Sequence, residues 1–175
     1  MRKLRAAFTL IEMMIAISIF SIMMLYLYKS YATLNISNEN LKVEVNKIKN
    51  MQKIKKVIYL DFTLALYNSR NIINIENRDK GEDFVFFQSS HSIHNRINPY
   101  ITYIMKNEKL YRLESLKRIS TYDLASDAEF DIELLGEVNS FKVYKTTNKE
   151  ASYLVAINFK KMDNILLRIN PLNEY

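Results

Sequence analysis

The chain contains no cysteine, and only two glycines and two prolines occur among its 175 residues. Without cysteine it can form neither a disulfide framework nor a thiolate nucleophile, and a Cys-based zinc site is excluded as well. The two isolated glycines, Gly81 and Gly136, cannot supply a glycine-rich loop of the kind that cradles phosphate groups. These absences exclude several common classes of enzyme.

Residues 1–80 contain neither glycine nor proline. Helix interiors exclude proline and disfavour glycine, so this stretch is predicted to hold a single helix from about Leu10 to about Leu60. Beyond residue 30, apolar side chains recur mostly at three- and four-residue steps, which predicts an amphipathic helix with one face for a folded domain. The apolar positions of this seam are Leu34, Leu41, Val45, Ile48, Met51, Ile54 and Ile58.

A long hydrophobic run, Phe8 to Tyr28, follows the short basic head MRKLRAA. At about 1.5 Å per residue, a helix of this length crosses the ~30 Å hydrocarbon core of a bilayer. Arg2, Lys3 and Arg5 precede the run, and by the positive-inside rule they predict a cytoplasmic N-terminus. Glu12 places one carboxylate inside the run, and an intramembrane carboxylate is treated as functional by default.

The segment AFTLIE, residues 7–12, resembles the class III signal of type IV prepilins and type II secretion pseudopilins. That signal consists of a short basic leader, a small residue and then FTLIE. The resemblance implies that a prepilin peptidase cuts between Ala7 and Phe8 and methylates the new amine of Phe8. Ala7 is a departure, because the family usually has glycine there. The other motif residues before Glu12 are Thr9, Leu10 and Ile11.

Glu12 lies about one helical turn beyond Phe8. A cation at the same depth would neutralise its carboxylate, and in the family that cation is the Phe8 amine of a neighbouring subunit. This interpretation predicts that docking beside another subunit relieves an uncompensated carboxylate. The alternative is that Glu12 snorkels to the membrane interface.

After Gly81 the apolar period changes to two, which predicts β-strands. Residues 63–80 are predicted to form a mixed connector before them. The chain on either side of Asn107-Glu108 should form one hairpin, and the chain on either side of residues 160–163 should form another. The predicted strands are Asp83–Gln88, Tyr100–Lys106, Lys109–Glu114, Asp131–Leu135, Phe141–Lys145, Tyr153–Phe159 and Asn164–Ile169.

One long helix followed by antiparallel strands is an α+β architecture. We therefore expect a pilin-like fold, in which an N-terminal helix, first transmembrane and then amphipathic, packs on an antiparallel β-sheet domain. The predicted divisions are a leader at 1–7, a transmembrane half-helix at 8–28, an amphipathic half-helix at 29–62 and a periplasmic β domain at 63–175.

Three later segments resemble J-class minor pseudopilins of type II secretion systems. NPYITYIMKNEKLYRLES resembles their hairpin, YLVAINFKKMDNILLRI resembles their closing hairpin, and IELLGEVNSFKVY resembles their LL-G-V-x-x-F-x-V segment. Val138 and Phe141 of the last segment are expected to be buried. Its motif positions are Leu134, Leu135, Gly136, Val138, Phe141 and Val143.

The J-class resemblance implies a structural and assembly subunit. The residues themselves favour no cofactor, metal site or catalytic arrangement, so we do not expect an enzyme. The subunit would lie at the tip of a periplasmic pseudopilus, anchored by a single pass in the bacterial inner membrane. The implied partners are I-class and K-class minor pseudopilins, the major pseudopilin, the prepilin peptidase and inner-membrane lipid. The alternative is a minor pilin of a type IV pilus or of a DNA-uptake system, the one case in which nucleic acid is an expected partner.

Three other groups of residues could suggest ligand binding, but each also has a structural explanation. His91 and His94 have a metal-ligand spacing but lie among Ser, Asn and Pro, which favours a solvated loop. Tyrosines interleaved with lysines could stack single-stranded nucleic acid, but their strand positions favour core packing. The acidic groups could supply calcium ligands, although they lack EF-hand spacing and solvated surface charge is favoured. Their members are Asp79, Glu82, Asp83, Asp123, Asp127, Glu129 and Asp131.

Overall fold

A computed structural model describes residues 9–66, 73–76, 83–118, 130–146 and 152–172. In these segments one long helix, α1, is followed by seven antiparallel strands whose spatial order equals their order in the chain. The predicted α+β, pilin-like architecture is confirmed. The elements are α1 Leu10–Thr63, β1 Asn74–Glu76, β2 Phe84–Gln88, β3 Tyr100–Lys106, β4 Lys109–Ser115, β5 Phe130–Lys145, β6 Tyr153–Phe159 and β7 Ile165–Ile169.

Helix α1 begins at Leu10 as predicted and continues to Thr63, three residues beyond the predicted end. By length and composition it is able to cross a membrane. The chain forms two compact units that divide within this helix, one ending at Ile48 and the other beginning at Lys49.

In the first unit the apolar side chains of α1 are exposed. Leu34 and Leu41 are each 59% exposed, Val45 is 46% exposed and Ile48 is 50% exposed. The expectation that the whole seam serves the chain's own folded domain is therefore wrong for these four positions. Since a helix buries an apolar stripe only where another element covers it, this half of the seam is available to a partner.

In the second unit the end of α1 packs on the sheet. Ile54, Ile58 and Phe62 join one hydrophobic core with residues of β2 to β7, and Met51 packs at its margin. The Phe62 ring lies 4.7 Å from that of Phe87, centroid to centroid. The predicted seam is thus correct for its last three members.

The hairpin of β3 and β4 follows its prediction closely. Lys106 pairs with Lys109, so Asn107 and Glu108 form a two-residue loop. Both loop residues have positive φ, 49° and 58°, which is the backbone of a type I′ turn. The β6–β7 hairpin is also observed, with Ile157 opposite Ile165.

Strand β5 corrects the prediction of two strands at Asp131–Leu135 and Phe141–Lys145. It is one strand of 16 residues, whose first half pairs with β4 and whose second half pairs with β6. Two irregularities in pairing let it change partners, because a bulge bends a strand and increases its twist. Val138 and Phe141, expected to be buried, are both fully buried.

Gly136 explains the first irregularity. Leu110 pairs with Gly136 and Tyr111 pairs with Leu134, which leaves Leu135 without an opposite residue. Gly136 has a φ of 152°, and a Cβ there would lie 3.0 Å from the Phe159 ring. Only glycine meets both conditions without strain.

Strand β1 was not predicted. It lies inside residues 63–80, which were predicted to form a connector.

Gly136→Ala should lower the free energy of unfolding of the sheet by ~1–3 kcal/mol, because the new Cβ meets Phe159 in a disfavoured backbone conformation. Near-UV circular dichroism of the tyrosines during urea unfolding of the full chain in detergent measures this. The control is Asn139→Ala, at an exposed position beside the second irregularity. Equal stability of the two variants would contradict the account of the bulge.

Candidate functional site

The N-terminal end of α1 carries the first candidate site. Thr9 precedes the helix, and its carbonyl oxygen accepts the first intrahelical hydrogen bond, from the Met13 N–H, at 3.3 Å. Glu12 Oε2 accepts hydrogen bonds from the Thr9 backbone N–H at 2.9 Å and from the Thr9 hydroxyl at 2.8 Å. The Glu12 backbone N–H in turn donates to Thr9 Oγ1 at 3.4 Å. This reciprocal arrangement is a capping box, with Thr9 as N-cap and Glu12 at the third helical position.

The capping box adds a role that the sequence interpretation missed. Glu12 was expected to lack compensation within its own subunit, whereas Thr9 already supplies two hydrogen-bond donors to its carboxylate. The T-x-x-E spacing of the motif is the signal that could have revealed this. Hydrogen bonds from neutral donors leave the charge in place, so a cation from another subunit can still stabilise Glu12.

The other residues of the predicted processing site fall into two groups. Leu10 and Ile11 occupy the first helical turn and are exposed, at 81% and 67%. The scissile pair Ala7 and Phe8 lies outside the described residues, and so do the leader cations Arg2, Lys3 and Arg5.

A buried charge cluster, Asp61, Tyr103, Arg112 and Glu114, forms the second notable site. Asp61 lies in the last turn of α1 and Arg112 lies in β4, and both side chains are fully buried. Arg112 donates to the Asp61 carboxylate through Nε at 2.7 Å and through Nη2 at 3.1 Å. The Tyr103 hydroxyl donates to the same carboxylate at 2.5 Å. The cluster therefore joins α1, β3 and β4 through charge-assisted hydrogen bonds.

The surroundings of the charge cluster fix its ionisation. Burial and the negative charge of Asp61 raise the pKa of Tyr103 well above its ordinary value, so its hydroxyl keeps the proton that it donates. Burial opposes the charge of Arg112, but the hydrogen bonds and charge of Asp61 outweigh burial and raise the Arg112 pKa. Arg112 is consequently a cation at every pH at which the protein folds.

Glu114 extends the cluster toward the loop between β2 and β3. Arg112 Nη1 donates to its carboxylate at 2.8 Å, the Ile93 N–H donates at 3.1 Å, and the Ser92 hydroxyl donates as well. Burial raises the pKa of Glu114, but these hydrogen bonds, led by that of Ser92, outweigh burial and hold the pKa below its ordinary value.

The same loop closes the C-terminal end of α1. Ser89 Oγ donates to the Asp61 carbonyl oxygen at 3.0 Å, and the Ser90 N–H donates to the Leu64 carbonyl oxygen at 3.0 Å. These bonds satisfy carbonyl groups that a helix end leaves free, and α1 has no basic residue in its last turn to do so.

The two histidines differ from the expectation of a common solvated loop. His94 is exposed, but the His91 side chain is only 18% exposed and its Nδ1 lies 2.5 Å from Asp61 Oδ1. His91 therefore belongs to the periphery of the charge cluster. Within the described residues, no group of three or more His, Asp and Glu side chains could hold a metal ion.

The acidic groups were expected to be solvated surface charges, but two of their members have structural partners. Asp83 is buried and accepts hydrogen bonds from the Val143 N–H at 2.9 Å and from Lys142 Nζ at 2.8 Å. Asp131 pairs with Arg96 at 2.7 Å. Both serve as structural anchors. The remaining acidic residues of the two groups, Asp79, Glu82, Asp123, Asp127 and Glu129, lie outside the described residues.

Comparisons with known proteins bear on the N-terminal site. The family model of the prokaryotic N-terminal methylation motif matches residues 2–28. No curated protein sequence and no solved structure matches the chain. The match supports a type IV pilin-like protein. Together with the apolar helix that follows Thr9, it is consistent with membrane anchoring.

Asp61→Ala should lower the free energy of unfolding by ~3–5 kcal/mol, because it leaves the Arg112 cation buried without its main partner. Urea unfolding of the full chain in detergent measures the change. The matched control is Lys161→Ala, which removes an exposed ion pair with Glu137 of similar length, 2.8 Å, and should have no measurable effect. A small effect of Asp61→Ala would show that the cluster is dispensable.

The charge cluster should also make the protein acid-sensitive. Since the folded-state pKa of Glu114 is lowered, its stabilising contribution is present above the unfolded-state pKa of about 4.3 and is lost as the pH falls through the folded value. The difference in unfolding midpoint between the wild type and Glu114→Gln should therefore shrink steadily below pH ~4.3. A difference that stays constant down to pH ~2 would contradict the assignment.

Proposed function

We propose that this protein is a minor pseudopilin, a structural subunit at the tip of a type II secretion pseudopilus that supports protein export. The observation that carries the proposal is the N-terminal methylation motif at residues 2–28, placed at the head of a helix able to cross a membrane. The fold supports it, since a long helix followed by an antiparallel sheet is pilin-like.

Processing is the first step that the proposal requires. The basic leader keeps the N-terminus in the cytoplasm, where a prepilin peptidase cuts Ala7–Phe8 and methylates Phe8. Cleavage removes the charges of Arg2, Lys3 and Arg5 and creates an ammonium group at Phe8. The mature chain then carries a cation at its first residue, Phe8, and the Glu12 carboxylate shortly after it in the sequence.

The partners of these two charges explain how subunits would assemble. Within the subunit, Glu12 accepts its hydrogen bonds from the neutral groups of Thr9. The Phe8 amine of a neighbouring subunit supplies a charge partner at the same depth, and opposite charges attract strongly in a medium of low dielectric constant. Pairing between subunits then draws each new helix into register with the last.

Contacts outside the membrane continue along the helix and the adjoining sheet. Leu34, Leu41, Val45 and Ile48 expose half of the predicted seam. In the second unit, a groove of about 300 Å³ lies between α1 and β5, and it is lined by Ile54, Val57 and Leu134 among others. Leu134 is 55% exposed there. An exposed apolar seam and a groove of mixed polarity are surfaces that fit I-class and K-class partners.

A tip position is supported by two features of the chain. The membrane part of α1 has no proline, and the segments that resemble the J class occupy the core hairpins and the bulge at Gly136. A tip subunit needs heterologous contacts with a few different subunits, whereas a bulk subunit must repeat one interface indefinitely. The alternative is a minor pilin of a type IV pilus or DNA-uptake system, since the matched residues 2–28 serve that role equally well.

Binding of the chain to its expected partners tests the proposal. The full mature chain, purified in detergent, should be monomeric alone and should form a defined complex when mixed with the I-class and K-class pseudopilins of the same bacterium. Size-exclusion chromatography with light scattering measures the mass of each species. The matched variant is Ile48→Glu, which places a charge in the exposed seam and should weaken the complex about tenfold or more. Long homopolymers of this chain alone, or no binding to either partner, would favour the pilus alternative.

A further inference from the structure

A set of tyrosines marks the end of the long hydrophobic run. Tyr26, Tyr28 and Tyr31 lie close together in α1, with Lys29 among them, whereas the preceding part of the helix, residues 10–25, contains no tyrosine. All three tyrosine side chains are exposed, at 79%, 74% and 65%. Because tyrosine joins an apolar ring to a polar hydroxyl, it is favoured where a transmembrane helix passes from hydrocarbon into the headgroup region.

These four side chains surround the helix. At about 100° per residue, Tyr28, Lys29 and Tyr31 follow Tyr26 at about 200°, 300° and 140° around the helix axis. A protein partner would contact one face of a helix, which a stripe at three- and four-residue spacing provides. A ring of amphipathic side chains instead fits an environment that surrounds the helix on all sides, as the lipid interface does.

The distance from Lys29 back to Glu12 supports the same interpretation. The two residues are about 25 Å apart along α1, whereas the hydrocarbon core is about 30 Å thick, so both charges cannot lie outside the core at once. Lys29 has the longer side chain, which can extend to the interface, and its ammonium group suits the phosphates of lipid headgroups. Its own helix offers no competing carboxylate within a turn, because no acidic residue lies between Glu12 and Glu39.

We propose that an interfacial belt binds the lipid headgroups on the periplasmic side and thereby sets the depth of Glu12 in the membrane. The belt consists of Tyr26, Tyr28, Lys29 and Tyr31. This inference rests on the proposed function, because it assumes that α1 crosses a membrane. With the belt at one interface, Glu12 lies about 5 Å inside the hydrocarbon at the other. The two hydrogen bonds that Thr9 donates to the Glu12 carboxylate lower the cost of this depth.

The chain beyond the belt would otherwise allow a second position of the helix. Residues 30–34 carry no charge, and the Thr33 hydroxyl donates to the Lys29 carbonyl oxygen at 3.0 Å. Without the belt, the uncharged stretch from Met13 to Leu34 would be about 33 Å long, enough to fill the core by itself. The helix could then slide toward the cytoplasm and release Glu12 from the hydrocarbon, which its charge favours. The belt opposes this movement, because sliding would draw its hydroxyl groups and its ammonium group into the hydrocarbon.

The absence of cysteine allows a direct test of depth with a single spin label. The label is attached to Ile15→Cys or to Leu25→Cys in the full chain, which is reconstituted in liposomes of phosphatidylethanolamine and phosphatidylglycerol. Electron paramagnetic resonance gives the depth from the relative collision rates with oxygen and with a water-soluble nickel complex. In the belt variant, the label at residue 15 should become shallower by about 5 Å and the label at residue 25 deeper by about as much. The belt variant carries Tyr26→Leu, Tyr28→Leu, Lys29→Leu and Tyr31→Leu.

Two control variants keep the belt intact and should leave both depths within about 2 Å of the wild type, roughly the rise of one residue. Phe20→Leu removes an exposed aromatic ring from the middle of the run. Glu12→Leu removes the carboxylate, and the depth should still hold because the belt sets it.

The outcomes separate this inference from the proposed function. Unchanged depths in the belt variant, or a change in depth caused by Glu12→Leu alone, would overturn the inference and leave the membrane anchor in place. Labels that remain fully accessible to the nickel complex in the wild type would show that α1 does not insert. That result would overturn the proposed function, and this inference with it.

Discussion

The ion pair between Asp61 and Arg112 is the interaction on which the folded part of the molecule depends. It joins the last turn of α1 to β4, and through Tyr103 and Glu114 it also reaches β3 and the loop that closes the helix. Buried ion pairs add little net stability, because removing two charges from water costs about as much as their attraction returns. We therefore assign this pair a positional role, in which it fixes the C-terminal end of α1 on the sheet.

Both ends of α1 are set by carboxylates and hydroxyls, and the two ends serve different purposes. At the start, Thr9 and Glu12 exchange hydrogen bonds that define the first turn. At the end, Ser89 closes the last turn beside Asp61. The hydrogen bonds at the C-terminal end of α1 involve buried groups of the sheet and the loop, and they hold the domain together. The hydrogen bonds at the N-terminal end are exposed and local, so they can open at little cost.

The sequence allowed much of this to be predicted, because its strongest signals are local. The lack of glycine and proline before Gly81 predicted α1, and the alternation around Asn107 predicted the β3–β4 hairpin. The sequence predicts two strands in place of β5, because glycine commonly marks a turn between strands. In the structure Gly136 instead allows a bulge inside one strand. The charge cluster could not be predicted, because Asp61 and Arg112 are 51 residues apart and nothing local distinguishes them from surface charges.

We propose that the chain is a processed, pilin-like membrane subunit, and one measurement tests this proposal most directly. Intact-mass spectrometry of the protein extracted from the membranes of cells with an active prepilin peptidase gives the position and chemistry of its N-terminus. The account predicts a chain that begins at Phe8, lacks the leader and carries one added methyl group. Recovery of only the full-length chain, with Met1 still attached and no methylated amine at Phe8, would contradict it.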